Sequence, residues 1–226
     1  DVTITLKGVN IWGCNYGTSH DTNGGAVLAK NGMDGFLTVQ CEYADQEGHL
    51  CDDNCSTLIA TGNVVHAGAI GSTISNVTTA SECGFCNFRV KGGNLEVSGG
   101  THVAGIGSAC NTQSYFGGVA YTKNIYISGG NIKTTGTECG PGIGGGFGAD
   151  FDGLYITGGK IEARGGKNAP GIGSGGSVDP SLSSYFQISN VIISGGNTLV
   201  RAVGHKDSDM PGIGCGKSDL GVTGEV

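Results

Sequence analysis

Six residues ending in a glycine pair recur four times and constrain this chain more than any other feature. Phe88-Arg89-Val90-Lys91-Gly92-Gly93 aligns with Ile125-Tyr126-Ile127-Ser128-Gly129-Gly130, Leu154-Tyr155-Ile156-Thr157-Gly158-Gly159 and Val191-Ile192-Ile193-Ser194-Gly195-Gly196. Each copy alternates apolar and other side chains at period two and stops at glycine, the pattern of a half-buried strand closed by a turn. A second short segment follows each copy: Leu95-Glu96-Val97, Ile132-Lys133-Thr134, Ile161-Glu162-Ala163 and, after a two-residue bulge, Val200-Arg201-Ala202. A third carries Gly105-Ile106-Gly107, Gly142-Ile143-Gly144, Gly171-Ile172-Gly173 and Gly212-Ile213-Gly214, with Ala69-Ile70-Gly71 as an earlier relative. Ile4-Thr5-Leu6-Lys7-Gly8 and Leu37-Thr38-Val39-Gln40 read as weaker early copies of the first segment.

These Gly-Ile-Gly units begin at residues 105, 142, 171 and 212, so a constant core recurs while the stretch after it varies in length. Solenoids accept insertions in this way, as loops on one edge of a fixed coil. The reading is therefore all-β: a parallel β-helix (β-solenoid) of about six coils with three short strands per coil. It forms one domain over 1–226, with irregular coils and a Cys-rich insertion in 1–84 and regular repeats in 85–216. Equivalent residues are alike on both faces, as in-register parallel stacking requires and a hairpin meander does not. Phe88, Ile125, Leu154 and Val191 form one inward column, and Val90, Ile127, Ile156 and Ile193 the next. The outward positions of the second segment, Glu96, Lys133, Glu162 and Arg201, alternate in sign, which stacked neighbours favour. No window carries apolar residues at helical spacing. Pro141, Pro170 and Pro211 stand at strand starts, where a missing N–H is tolerated.

Together the three segments resemble the glycine-rich repeats of secreted and cell-surface proteins that fold as right-handed parallel β-helices of the pectin-lyase-like kind. The resemblance covers residues 85 to 216 well and 1 to 84 poorly. It implies architecture rather than activity, because that superfamily includes adhesins, carbohydrate-binding modules, structural fibres, polysaccharide lyases and glycosidases.

Composition narrows the partners. Charged residues make up only 14% of the chain and the net charge is −7, which gives no footprint for nucleic acid or anionic membrane. No apolar run approaches bilayer-spanning length, and a start at Asp1 with neither a Met nor a signal-like segment reads as an excised or processed piece. Nine cysteines are many for a cytosolic protein of this size and point to an oxidising, extracellular or cell-surface setting. Cys51, Cys55, Cys83, Cys86, Cys110, Cys139 and Cys215 are the disulfide candidates, with the connectivity left open. The pairs Cys51/Cys55 and Cys83/Cys86 have the closeness of zinc ligands but no His pair at finger spacing, so no metal is expected. Asn54-Cys55-Ser56 and Asn76-Val77-Thr78 match the N-glycosylation acceptor pattern, which makes Asn54 and Asn76 candidate sites.

The outward column Arg89, Tyr126, Tyr155, Ile192 places a cation and two rings in a row, either a sugar-stacking strip or a ladder that stabilises the coil. The third segment shows glycines outward, a ridge open to a ligand or to another backbone, either the chain's own loops (108–123, 145–153 and 174–189) or a neighbouring copy. The carboxylates Glu138, Asp150, Asp152, Asp179, Asp207 and Asp209, with Arg164, have no catalytic spacing, and Asp-x-Asp reads as a solvated turn. His66 and His102, set before the third segment, read as satisfied surface residues. Catalysis is not expected, and no cofactor is called for, with calcium left open. The leading expectation is an extracellular structural or adhesive module that self-associates or meets neighbouring surface proteins. A carbohydrate-binding module recognising polysaccharide comes second, and a polysaccharide-degrading enzyme third.

Overall fold

A computed structural model describes residues 1–14, 26–46, 49–62, 68–72, 84–109, 120–176 and 187–216. Each coil contributes three strands. The first holds β1 (Val2–Leu6), β2 (Val9–Cys14) and β3 (Leu28–Ala29), and the second β4 (Leu37–Cys41), β5 (Thr57–Gly62) and β6 (Ile70–Gly71). The third holds β7 (Gly84–Val90), β8 (Asn94–Ser98) and β9 (Ile106–Gly107), and the fourth β10 (Tyr121–Ile127), β11 (Asn131–Thr135) and β12 (Ile143–Gly145). The fifth holds β13 (Asp150–Ile156), β14 (Gly159–Arg164) and β15 (Ile172–Ser174), and the sixth β16 (Ile188–Ile193), β17 (Thr198–Val203) and β18 (Ile213–Cys215). First, second and third strands assemble into three separate parallel six-stranded sheets, here A, B and C, each ordered coil by coil. This is a parallel β-helix, consistent with the right-handed form that parallel crossovers favour.

The register is the one the repeats demand. Val90, Ile127, Ile156 and Ile193 pair in single file, as do Phe88, Ile125, Leu154 and Val191. Within the stack Phe88, Val90, Ile125, Leu154 and Ile156 are fully buried, and the column joins Leu95, Ile132, Ile161, Ile106, Ile143 and Ile172 in one core. Each fully buried aliphatic side chain contributes about 1.5–3 kcal/mol, which offsets the ordering of a glycine-rich backbone. The early copy needs a correction: Val2 lies over Leu37 and Ile4 over Val39, so the first repeat begins at Val2, two residues before the reading from Ile4. A two-residue slip keeps every side chain on its face, which is why alternation alone did not reveal it.

Sheet A is longer than the hexapeptides suggested. Asn87, Asn124 and Asn190 adopt left-handed φ values of 55°, 57° and 54°, and Gly153 takes φ 83° at the equivalent place. Asparagine tolerates that region better than other non-glycine residues, and the kink lets each strand turn and continue. Asn124 Nδ2 also donates to Asn87 Oδ1 at 3.0 Å, tying successive kinks together. Before the kink a further inward column forms from Phe85, Thr122, Phe151 and Ile188.

The glycines of sheet C have a different role from the open ridge expected. Gly107, Gly144, Gly173 and Gly214 sit at φ 150°, 141°, 142° and 152°, which side chains rarely adopt. A Cβ on Gly107, Gly144 or Gly173 would collide with the carbonyl oxygen of the matching glycine one coil on. The backbone that comes close is therefore the next coil's own. These glycines are buried, and Gly145 to Ala149 folds over the neighbouring edge, with the Phe147 N–H donating to the His102 carbonyl at 2.9 Å.

Candidate functional site

Sheet A displays the expected strip: Arg89 pairs with Tyr126, Tyr126 with Tyr155 and Tyr155 with Ile192. The Tyr126 and Tyr155 rings lie 4.8 Å apart and 12° from parallel, one strand spacing, so each covers a face of the other. The Arg89 guanidinium sits 3.4 Å above the Phe36 ring, and Phe36 meets Tyr126 edge-on at 5.9 Å. The strip borders a depression of about 280 Å³ lined by Arg89, Lys91, Tyr126 and Tyr155. The stacked rings and the guanidinium link successive coils. Tyr155→Ala is expected to lower unfolding free energy by about 1 kcal/mol beyond its lost apolar area, read by urea unfolding. An unchanged midpoint would contradict the ladder.

Sheet B carries the charge column in register, with Lys133 Nζ 3.5 Å from Glu96 and Arg201 Nη1 3.0 Å from Glu162. Arg164 also contacts the Glu162 carboxylate and, with Arg201 and Lys133, holds it below its ordinary pKa. All these groups are solvent-facing, so each pair is worth at most about 1 kcal/mol. Their effect is on register.

Of the carboxylates considered for catalysis, Asp150 and Asp152 accept hydrogen bonds from the next coil. Asp152 Oδ1 accepts the Ser189 hydroxyl and the Asn190 amide, both at 2.6 Å, and these bonds lower its pKa. Asp150 Oδ1 accepts the Gln187 N–H at 3.2 Å. Asp207 and Asp209 belong to a short 3₁₀ turn, Lys206–Ser208, and its C-cap, and Glu138 is exposed on a turn. His102 has φ 66° and packs edge-on against Phe147. Asp179, His66 and Asn76 lie outside the described residues, while Asn54 is exposed and its N–H donates to Asp52 Oδ1 at 2.9 Å.

Of the disulfide candidates, Cys51, Cys55 and Cys86 stand as free thiols here, as does Cys41, while Cys139 and Cys215 are buried. Cys83 and Cys110 lie outside the described residues. Burial pushes the Cys86 and Cys215 thiols up to about 11, and at neutral pH both stay protonated and weakly nucleophilic. Burial also pushes the Cys51 thiol up to about 12, against a hydrogen bond from the Gly93 N–H that pulls the other way.

Among the described residues one group has metal-ligating chemistry: Cys41, His49, Cys51 and Cys55, whose ligand atoms all lie within 4.8 Å of one another. Cys41 ends β4, and the insertion before β5 supplies the other three. A search for a histidine pair passes over this set, because its single His lies between cysteines as Cys41-x7-His49-x-Cys51-x3-Cys55. That spacing was visible in the chain.

A protein-family model described as a beta helix repeat matches residues 125–147 and 154–176, the segments that form coils four and five. No curated protein and no solved structure gave a match. Fold and repeat together define the chain as a parallel β-helix repeat protein.

Proposed function

We propose that this chain is a rigid structural or adhesive module of an extracellular or cell-surface protein, and that it associates with itself end to end. The observation carrying the proposal is the exposure of the core columns at coil six among the described residues. Ile156 and Ile172 are fully buried, yet their partners one coil on, Ile193 and Ile213, are 43% and 39% exposed. Val191 and Val200 are half-buried where Leu154 and Ile161 are buried. Solenoids that remain apart close such ends with a polar cap. At the opposite end Trp12 stands over Ala60 in the column of small inward residues, but Val2 remains 60% exposed. Among the described residues, coil six thus offers apolar columns and a strand edge without a partner, and a second copy supplies a coil of the same spacing. Such a head-to-tail contact extends into a filament unless it closes. Support for an extracellular setting comes from the exposed Asn54 acceptor.

Sedimentation velocity over a concentration series tests the proposal. The unaltered chain is expected to shift to larger species with concentration, and Ile193→Lys with Ile213→Lys to stay monomeric with its circular dichroism unchanged. A strictly monomeric parent at the highest concentration would overturn the reading.

A further inference from the structure

We propose that Cys41, His49, Cys51 and Cys55 form a closed, structural zinc site that fastens the insertion between β4 and β5 to the glycine corner of the solenoid. Zinc bound tetrahedrally, at about 2.3 Å to sulfur and about 2.0 Å to nitrogen, holds its ligand atoms roughly 3.8 Å apart for S···S and roughly 3.5 Å for S···N. Here Cys41 Sγ and Cys51 Sγ are 3.8 Å apart, and His49 Nε2 is 3.7 Å from each. Cys55 Sγ lies 3.4 Å from the same nitrogen. Two thiols would suffice for a disulfide, leaving an imidazole and a third thiol without purpose at the same point. Three thiols and an imidazole whose ligand atoms all lie within 4.8 Å of one another match one cation. With four protein ligands no coordination position stays open, which marks a structural rather than a catalytic centre.

The surroundings hold the ligands in place from outside the insertion. The Gly93 N–H donates to Cys51 Sγ at 3.0 Å, the kind of outer hydrogen bond that stabilises a zinc-bound thiolate. A Cβ on Gly92 would press within 3.0 Å of Cys41 Sγ and 3.1 Å of Cys51 Sγ, so glycine there leaves the site its room. Asn94 Nδ2 donates to the Asp52 and Cys55 carbonyls, each at 2.9 Å, and Asn131 Nδ2 to the Cys51 carbonyl at 3.3 Å. Residues from coils three and four therefore brace a loop inserted in coil two. Cys41 and Cys55 are buried and His49 and Cys51 half-buried, so water has limited access to the centre.

Purified under reducing conditions from zinc-supplemented growth, the chain is expected to contain one zinc per polypeptide by elemental mass spectrometry. Replacing zinc with cobalt(II) should give the visible bands of a tetrahedral thiolate site. Cys55→Ser and His49→Ala should each weaken zinc binding by more than the roughly 10–100-fold that loss of an outer partner costs. His49→Cys should keep the metal and shift the cobalt bands, a rescue that simple packing of the loop would not produce. Cys139→Ser, away from the cluster, should leave the zinc content unchanged. A parent chain without zinc or cobalt bands, or with Cys41 and Cys51 joined in a disulfide on mass spectrometry, would overturn the proposal.

Discussion

Gly144→Ala is expected to lower the unfolding free energy by about 4 kcal/mol or more. Two independent penalties meet at that position. Its φ of 141° lies where side chains rarely go, and leaving it for an allowed region would break the register of sheet C. The added Cβ would also collide with the carbonyl oxygen of Gly173, which belongs to backbone and cannot swing aside. Strain of about 1–3 kcal/mol from the dihedral and a similar cost of overpacking combine because no single movement relieves both. Gly196→Ala supplies the contrast: its Cβ would meet nothing within 4 Å, and it is expected to change stability by less than about 0.5 kcal/mol. Urea unfolding of both variants decides the point. Equal midpoints would mean that sheet C is not packed as described.

The second large effect concerns the column rather than the ridge. Ile156→Ala removes a fully buried side chain held between Ile127 and Ile193, and should cost about 2–5 kcal/mol because neighbours fixed at strand spacing cannot collapse into the cavity. The same change at Ile193 should cost much less, since that side chain is already 43% exposed. Identical chemistry in one column thus gives different results according to whether a further coil covers the residue. Should Ile193→Ala prove as damaging as Ile156→Ala in a monomeric sample, the open end that supports self-association would be closed in reality.

The regular half of the molecule was legible because its repeats repeat chemically. The matched sets at 88, 125, 154 and 191 gave register directly, and the alternating Glu96, Lys133, Glu162 and Arg201 column gave an independent check. The first two coils were harder. In them Val2 and Leu37 replace Phe88, and Ile11 and Ile59 take the places of the outward charges. Period-two alternation survives such changes, but alignment does not. The left-handed kinks at Asn87, Asn124 and Asn190 left a signal, an Asn or Gly immediately before each hexapeptide, that is weak until the backbone shows what it does. The cysteine cluster was obscured for another reason. Three of its ligands lie within one short insertion and the fourth, Cys41, ends β4, but Gly93, which donates to one sulfur, arrives from the next coil, and only the fold brings that coil alongside.

The claim beneath all of this is that successive coils lie directly over one another in register, and methyl-to-methyl nuclear Overhauser spectroscopy on Ile-, Leu- and Val-labelled protein tests it most directly. The predicted pattern is a single file: Ile127 in contact with Val90 and Ile156, and Ile156 with Ile127 and Ile193, with no contact that skips a coil. Ile156 methyls that touch neither Ile127 nor Ile193 would contradict the stacked solenoid.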